Sequence, residues 1–345
     1  MIRPCAAVML SMALLLGTMA SLGQTAEPTV AEIRQAIDNG LSYLANAQAR
    51  DGHWSADGGM YPVAMTALAG MAFLLDGNTT LQGRYSKNVQ SAVGFLLDQA
   101  QPNGLIGDPN NDNRYMYGHG FSMLFLSQVL GEEDDITRRQ DLVKRLTLAV
   151  DFSGRAQTKD GGWGYVSARD GHGFDEGSVT ITQMQGLRGC RNAGIAVPKE
   201  IVDNGVKYIE RCVGEDGGVR YSLKTAGGSR PPITAAAVAC LFNAGEYNNP
   251  LVARFIQYAD ENLAPGKNQQ TYGHWHYANY YYAQVVYRQG GLKWRDYRAA
   301  VYKQILDRQA NNGSWSEDYI GTVYTTALNL AILQFENGYL PIYQR

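Results

Sequence analysis

Gln48-Ala49-Arg50-Asp51-Gly52-His53-Trp54 is a stretch whose outline returns twice. The same spacing of glutamine, glycine and tryptophan recurs in Gln157-x-x-x-Gly161-x-Trp163 and Gln309-x-x-x-Gly313-x-Trp315. Three copies of three residues at one spacing mark an internal repeat. Weaker copies fill the gaps, as Asn103-Gly104, Asp216-Gly217-Gly218-Val219 and Tyr272-Gly273-His274-Trp275. The glycines at 52, 104, 161, 217, 273 and 313 are nearly evenly spaced, with the last interval short. Asp51, Asn103, Asp160, Asp216 and Asn312 each precede such a glycine, and Asp-Gly and Asn-Gly pairs favour tight turns because glycine accepts positive φ.

Working outward, the segment before each turn reads as an amphipathic helix. Thr29-x-x-Glu32 is a capping-box signature, and Val30, Ile33, Ile37, Leu41 and Leu44 follow at helical spacing. Pro198 and Pro250 fall where a first helical turn tolerates proline. The segment after each turn is apolar on most faces and rich in small residues: Val63 to Leu75, Gly120 to Leu130, Val179 to Ala193, Ile233 to Ala244 and Val323 to Phe335. The fifth, Tyr277 to Tyr287, is crowded with tyrosine. Helices apolar all round are buried. Six units of amphipathic helix, turn and buried helix predict an all-α (α/α)6 toroid, with the buried set inside and the amphipathic set outside. Neither end looks like a polar cap, so a closed ring is expected over an open solenoid.

Composition agrees. Of 345 residues, 45% are hydrophobic and 18% charged, with formal net charge -2, which suits a large core and gives no footprint for nucleic acid. Arg3 is the sole charge of the first 26 residues, and an apolar run from Ala6 to Leu16 precedes small residues. Residues 1–26 therefore read as an export signal cleaved near 20–26, with 27–345 as one toroid domain; the alternative is an uncleaved anchor, though the run is short for a bilayer span. The mature chain would be secreted, periplasmic or in the cell envelope, either soluble or in peripheral contact with a membrane. Cys190, Cys212 and Cys240 read as core thiols, allowing one disulfide at most.

Gly40-x-x-Tyr43-Leu44-x-x-x-Gln48-x-x-x-Gly52-x-Trp54 resembles the QW repeat of squalene-hopene and oxidosqualene cyclases, and the stretches ending in Trp163 and Trp315 are similar. The likeness covers residues 29–336 and implies the terpene cyclase and prenyltransferase superfamily. It implies structural roles for Gln48, Gly52, Trp54, Gln157, Gly161, Trp163, Gln309, Gly313 and Trp315. The family's Asp-x-Asp-Asp acid motif, which runs into an inner helix before Thr-Ala, is not matched: the corresponding stretches read Pro62-Val63-Ala64-Met65-Thr66-Ala67, Ser178-Val179-Thr180-Ile181-Thr182 and Gly321-Thr322-Val323-Tyr324-Thr325-Thr326-Ala327. Protonating an alkene needs a pre-set carboxylic acid. The zinc-holding Asp-x-Cys of protein prenyltransferases and the Gly-Cys-Gly-Glu-Gln of thioester toroids are also missing.

The resemblance implies a functional cavity on the side where inner helices begin. His119, His172, Asp175, Glu176, Arg230, His276, Tyr277, Asn279, Tyr280, Tyr282, Asp318, Tyr319 and Tyr324 fall there. One reading is an acid/base or divalent-metal site from His119, Asp175 or Glu176, and His276; the plainer one is helix caps and a wet pore. A second takes Tyr277, Tyr280, Tyr281, Tyr324 and Arg230 as the lining for an apolar, isoprenoid-like or cationic ligand, against ordinary core packing. Tyr277, Tyr280 and Tyr281 share one helix face. The leading expectation is a toroid binding an apolar or isoprenoid-like small molecule in its central cavity. Behind it stand a divergent cyclase or prenyltransferase-type enzyme, a protein-interaction toroid and a carbohydrate-active enzyme. Cofactor, metal and oligomer are undetermined by the sequence.

Overall fold

The computed structural model describes residues 27–171, 173–267, 274–316 and 319–344. The export-signal region, Tyr272, Gly273, His172 and Asp318 lie outside them. Among the described residues there are twelve α-helices and no β-strand, only isolated bridges. The outer set is α1 (Val30–Ala47), α3 (Ser86–Asp98), α5 (Ile136–Ala156), α7 (Lys199–Arg211), α9 (Pro250–Leu263) and α11 (Gly291–Asp307). The inner set is α2 (Pro62–Leu75), α4 (Tyr115–Glu132), α6 (Gly177–Asn192), α8 (Pro231–Ala244), α10 (Trp275–Gln289) and α12 (Thr322–Gln334). Each inner helix packs on the next, and α12 packs on α2, so the ring closes.

Local chemistry sets the helix ends. Thr29 and Glu32 form the expected capping box of α1. Asp135, Glu176 and Asn249 accept first-turn N–H groups of α5, α6 and α9. Pro62, Pro231 and Pro250 open α2, α8 and α9, while Pro198 stands just ahead of α7. The outer helices bury one stripe, such as Ile37, Leu41 and Leu44 of α1; in α12 every residue from Val323 to Gln334 is buried. No described helix is long and apolar enough to cross a membrane. Cys190, Cys212 and Cys240 are buried free thiols.

The repeated motif is a joint between units. In five turns the residue three before the glycine donates its N–H to the residue after the glycine, and its carbonyl receives the glycine N–H: Ala49, Gln101, Thr158, Gly214 and Ala310 do this for Gly52, Gly104, Gly161, Gly217 and Gly313. All five glycines have φ between 86° and 95°. Directly after α9 a turn runs Ala264-Pro265-Gly266-Lys267, with Gly266 at φ 84° and Lys267 N–H on Ala264 O, and the turn read at Gly273 lies outside the described residues. Trp275 opens α10.

Each motif tryptophan is buried and donates Nε1–H to a carbonyl of its own outer helix: Trp54 to Leu44, Trp163 to Ser153 and Trp315 to Ile305. Its backbone N–H goes to a threonine of the following inner helix, Thr66, Thr180 or Thr326. Each motif glutamine bridges two carbonyls with Nε2, one in its own turn and one in the next outer helix. Gln48 joins Gly52 to Asn88, Gln157 joins Gly161 to Ile201, and Gln309 joins Gly313 to Ala36 of α1. The last bridge repeats across the closure what the others do within the chain.

The glycines fit this joint for two separable reasons. A Cβ on Gly161 would lie 2.4 Å from the Asn204 carbonyl oxygen of α7, whereas one on Gly217 would meet nothing nearer than the Arg254 side chain at 3.7 Å. Both replacements carry the left-handed backbone cost, about 1–2 kcal/mol, but only the first also forces two outer helices apart. Gly161→Ala should therefore lower unfolding free energy in urea by clearly more than Gly217→Ala; equal losses would mean that the turns are not pressed against the next unit.

Candidate functional site: an aromatic bowl where the inner helices begin

Six inner-helix N-termini meet on one face of the ring. Tyr61 precedes α2, Arg114 precedes α4, Glu176 precedes α6 and Arg230 precedes α8. Tyr117, Tyr277 and Tyr324 are each the third residue of their helices, α4, α10 and α12. Tyr61 is the one described non-glycine residue at positive φ, 54°. A bulky side chain in that region is uncommon and is held there by its surroundings.

The aromatic rings form a chain around this face. Tyr117 lies 5.9 Å from Tyr165, Tyr165 lies 6.3 Å from Phe174, and Phe174 lies 6.4 Å from Tyr221. The Tyr165 and Tyr221 hydroxyls are hydrogen-bonded to each other. Two exposed guanidiniums flank the chain: Arg114 sits 4.6 Å over the Tyr165 ring and Arg230 5.5 Å over Tyr221. On the far side Tyr277 packs 4.8 Å from Tyr281, and burial, then Tyr281, Tyr117, Glu176 and Tyr324, push its phenol well above the usual range. The Tyr277 hydroxyl is buried without a hydrogen-bond partner among the described residues.

Glu176 is the carboxylate of this bowl. Burial raises its pKa, while donors from Ser178, Val179 and Tyr117 pull the other way. Oε2 accepts from Ser178 N at 2.8 Å, and Oε1 from Val179 N at 2.7 Å and Tyr117 OH at 3.1 Å; Tyr117 OH also meets Ser178 Oγ at 2.6 Å. The Ser178 hydroxyl reaches the same carboxyl, 2.8 Å from Oε1 and 2.7 Å from Oε2. A carboxyl that caps a helix and accepts this many hydrogen bonds is committed as an acceptor.

The structure separates the four residues read as an acid/base or metal set. Glu176 is extended, at φ -151° and ψ 161°, and its side chain and that of the preceding Asp175 go to different partners. Asp175 turns away from the bowl, its Oδ2 accepting from Thr158 Oγ1 at 2.7 Å and lying 3.5 Å from Lys224 Nζ. His119 faces α5. Its Nδ1 accepts from Ile106 N–H at 3.1 Å and its Nε2 meets Ala149 O at 3.2 Å, so both ring nitrogens are used by backbone. In this unit the histidine replaces the threonine that receives the turn N–H elsewhere (Thr66, Thr180, Thr234 and Thr326). His276 faces α12 through Nδ1 and Asn329 Oδ1, 3.0 Å apart. Among the described residues no group of three His, Cys, Asp or Glu could hold a metal ion.

The tyrosine set also divides. Tyr280 is buried with its hydroxyl on Tyr343 of the C-terminal segment. Tyr281 is buried on the ring axis, donating to Gln185 Oε1 at 3.2 Å, and Gln185 Nε2 reaches Gln284 Oε1 at 3.2 Å. That bridge joins α6 to α10 without passing through α8. Tyr282 points outward to Asp260 of α9. Of the residues read as ligand-lining, Tyr277, Tyr324 and Arg230 belong to the mouth. Tyr61, Arg114, Tyr117, Tyr165, Phe174 and Tyr221 were not singled out in the sequence. The available signal was position, since Tyr117 stands in α4 where Tyr277 and Tyr324 stand in α10 and α12.

His119 makes a pH test of its structural role. Burial depresses its pKa from 6.5 to about 4. Above pH 6.5 both folded and unfolded chains hold it neutral. Between 6.5 and 4 the unfolded chain takes up a proton that the folded chain refuses, so stability falls as pH falls; below 4 this contribution is flat. The total is about 3 kcal/mol. Urea unfolding of His119→Thr, which restores the threonine of the other units, should lack that slope; parallel curves for the two proteins would show that His119 is not buried neutral.

No family model matches the chain, and no curated protein matches it. Solved structures do. The type II terpene cyclase MstE from Scytonema, in complex with its substrate geranylgeranyl dihydroxybenzoate, is 14% identical, with a TM-score of 0.61 over 90% of this chain and 99% of that one. The GH76A alpha-1,6-mannanase from Salegentibacter is 9% identical, with a TM-score of 0.64 over 89% and 99% of the two chains. A protein from Actinoplanes is 16% identical, with a TM-score of 0.58 over 87% and 98%. At these identities the likeness is one of architecture: the chain has the terpene cyclase-like (α/α)6 toroid fold.

Proposed function

We propose that this chain is an exported binding toroid that holds an apolar, isoprenoid-like small molecule in the aromatic bowl and performs no proton transfer on it. The observation that carries the reading is the convergence of Tyr117, Tyr165, Tyr221 and Tyr277 at the mouth, between Arg114 and Arg230. Aromatic faces supply a large apolar contact with little side-chain entropy to lose, and hydroxyls at their tips orient a polar end group. The positive ends of six inner helices and the two guanidiniums favour a partial negative charge on that end group. Export rests on the pattern of residues 1–26. The cyclase neighbour, solved with a prenylated aromatic substrate and with its product merosterolic acid A, supports the ligand class. The enzyme reading would assign proton donation to Glu176, against its engagement as a helix cap.

Native mass spectrometry of protein purified from its own host, followed by titration of the delipidated chain with geranylgeraniol, tests this. A bound prenyl-type mass, saturable binding, and a loss of about tenfold or more in affinity on Tyr117→Ala are expected. Conversion of the prenyl chain to a cyclised product, abolished by Glu176→Gln, would replace the binding reading with the enzymatic one. A chain that carries no small molecule, ignores geranylgeraniol and co-purifies with a protein would favour the interaction toroid.

A further inference from the structure

A cavity of about 520 Å³ opens on the opposite face, where inner helices end. Arg188 of α6, Phe242 of α8, and Arg288 and Gln289 of α10 line it, with Tyr247 from the loop after α8 and Ile342 from the C-terminal segment. Among the described residues no carboxylate lines it. Phe242 and Tyr247 are stacked, 5.7 Å between centroids and 25° between planes. The Arg288 guanidinium lies 5.7 Å over the Phe242 ring and donates to the Ile342 carbonyl at 2.9 Å. That bond fixes the returning C-terminal segment as a wall of the cavity.

The two arginines have no counter-charge. Neither forms an ion pair with a described residue, and Arg188 makes no hydrogen bond with one. Burial lowers the Arg288 pKa; the Tyr247 hydroxyl offsets this in part and the Arg188 charge adds to it. Arginine does not shed its proton in a protein, so the repulsion persists. The plain account is that both merely complement the negative helix ends. The last-turn carbonyls, however, are largely taken by the backbone that follows. Ala193, Gly194 and Ile195 donate to Gly189, Arg191 and Cys190 in α6, Gly245 and Glu246 donate to Phe242 and Leu241 in α8, and Gly290 donates to Val286 in α10. The one carbonyl that Arg288 reaches is outside any of these helices.

We propose that this cavity is a second small-molecule site and that it takes a compact organic carboxylate with a planar apolar body. The carboxylate sits between Arg188 and Arg288, where an oxyanion relieves their repulsion and a guanidinium fork matches its geometry. The planar body lies along the Phe242–Tyr247 pair, with the amide of Gln289 at the rim. This site is independent of the aromatic bowl, which lies at the other end of the inner helices.

The test is calorimetry on the full chain with para-hydroxybenzoate, the uncharged para-hydroxybenzamide, and inorganic phosphate. Expected are one para-hydroxybenzoate per chain, with the amide and phosphate each about tenfold weaker or worse. Arg188→Gln, which loses no hydrogen bond, should weaken para-hydroxybenzoate by about tenfold or more and melt no lower than the parent when no ligand is present. Arg288→Gln should do likewise for binding, and if it fails to fold, Arg188→Gln alone decides. Tyr117→Ala should bind para-hydroxybenzoate as the parent does. The proposal is overturned if the acid and amide bind alike, if phosphate matches the acid, if nothing binds at millimolar concentration, if Arg188→Gln leaves affinity unchanged, or if Tyr117→Ala abolishes binding.

Discussion

One side-chain amide holding two carbonyls together is what turns a row of helix pairs into a ring. Gln48, Gln157 and Gln309 each span from their own turn to the next outer helix. Helix ends leave carbonyls without intrahelical partners, and a turn adds more. A glutamine placed four residues before the turn carbonyl satisfies one of them and, with its second N–H, one from the neighbour. The glycine must then be bare, because the next outer helix comes within van der Waals reach of it. The tryptophan fills the space beneath and ties its turn to both helices of its own unit. Substituting the glutamine or the glycine disturbs two units at once.

The same joint decides where function can reside. It consumes the turn residues next to the outer helices and leaves the first residues of the inner helices to face the axis. There first-turn N–H groups of the inner helices need acceptors: the Tyr165 and Tyr221 carbonyls take those of Met116 and Gly177, and Glu176 caps α6 and gains Tyr117 and Ser178 as further donors. Differences between units show the division. Where a unit lacks the tryptophan, the threonine role can pass to another acceptor, as His119 shows, with no loss of the turn bond. The third helical position, by contrast, carries tyrosine in α4, α10 and α12, and those side chains form the bowl rather than the joint.

The fold was legible because the joint is local in sequence: a glutamine, a glycine and a tryptophan at fixed spacing report a contact between units that are far apart in the chain, up to Gln309 and Ala36. Alternation of amphipathic and all-apolar segments supplied the two layers. The fifth turn, read at Gly273, lies outside the described residues; what is described there is a Pro265-Gly266 turn directly after α9 and Trp275 opening α10. The site was only half legible. Glu176, Tyr277, Tyr324 and Arg230 could be named from their nearness to inner-helix starts. Nearness does not fix direction: Asp175, next to Glu176, goes to Thr158, and His119 turns to α5. Tyr165, Phe174 and Tyr221 lie in long connections without periodicity, so nothing in the chain announced that they would stack.

The filled axis gives the two faces separate characters. Gln185, Gln284 and Tyr281 join α6 to α10 across the middle, and Tyr343 closes on Tyr280 and on Phe335 at 4.9 Å from below. A buried amide bridge of this kind keeps its hydrogen bonds only if the facing helices hold their register, so it stiffens the ring more than apolar contact alone. Opening a deep central chamber would break those bonds and leave the amides unpaired in a low-dielectric interior, where each lost partner costs about 1–3 kcal/mol. The fold therefore concentrates adaptable surface at the mouths: tyrosines and guanidiniums on the face where inner helices start, and an acid-free arginine cavity on the face where they end. Ligands on the two faces would be separated by the α6–α10 bridge, and coupling between them would have to pass through it.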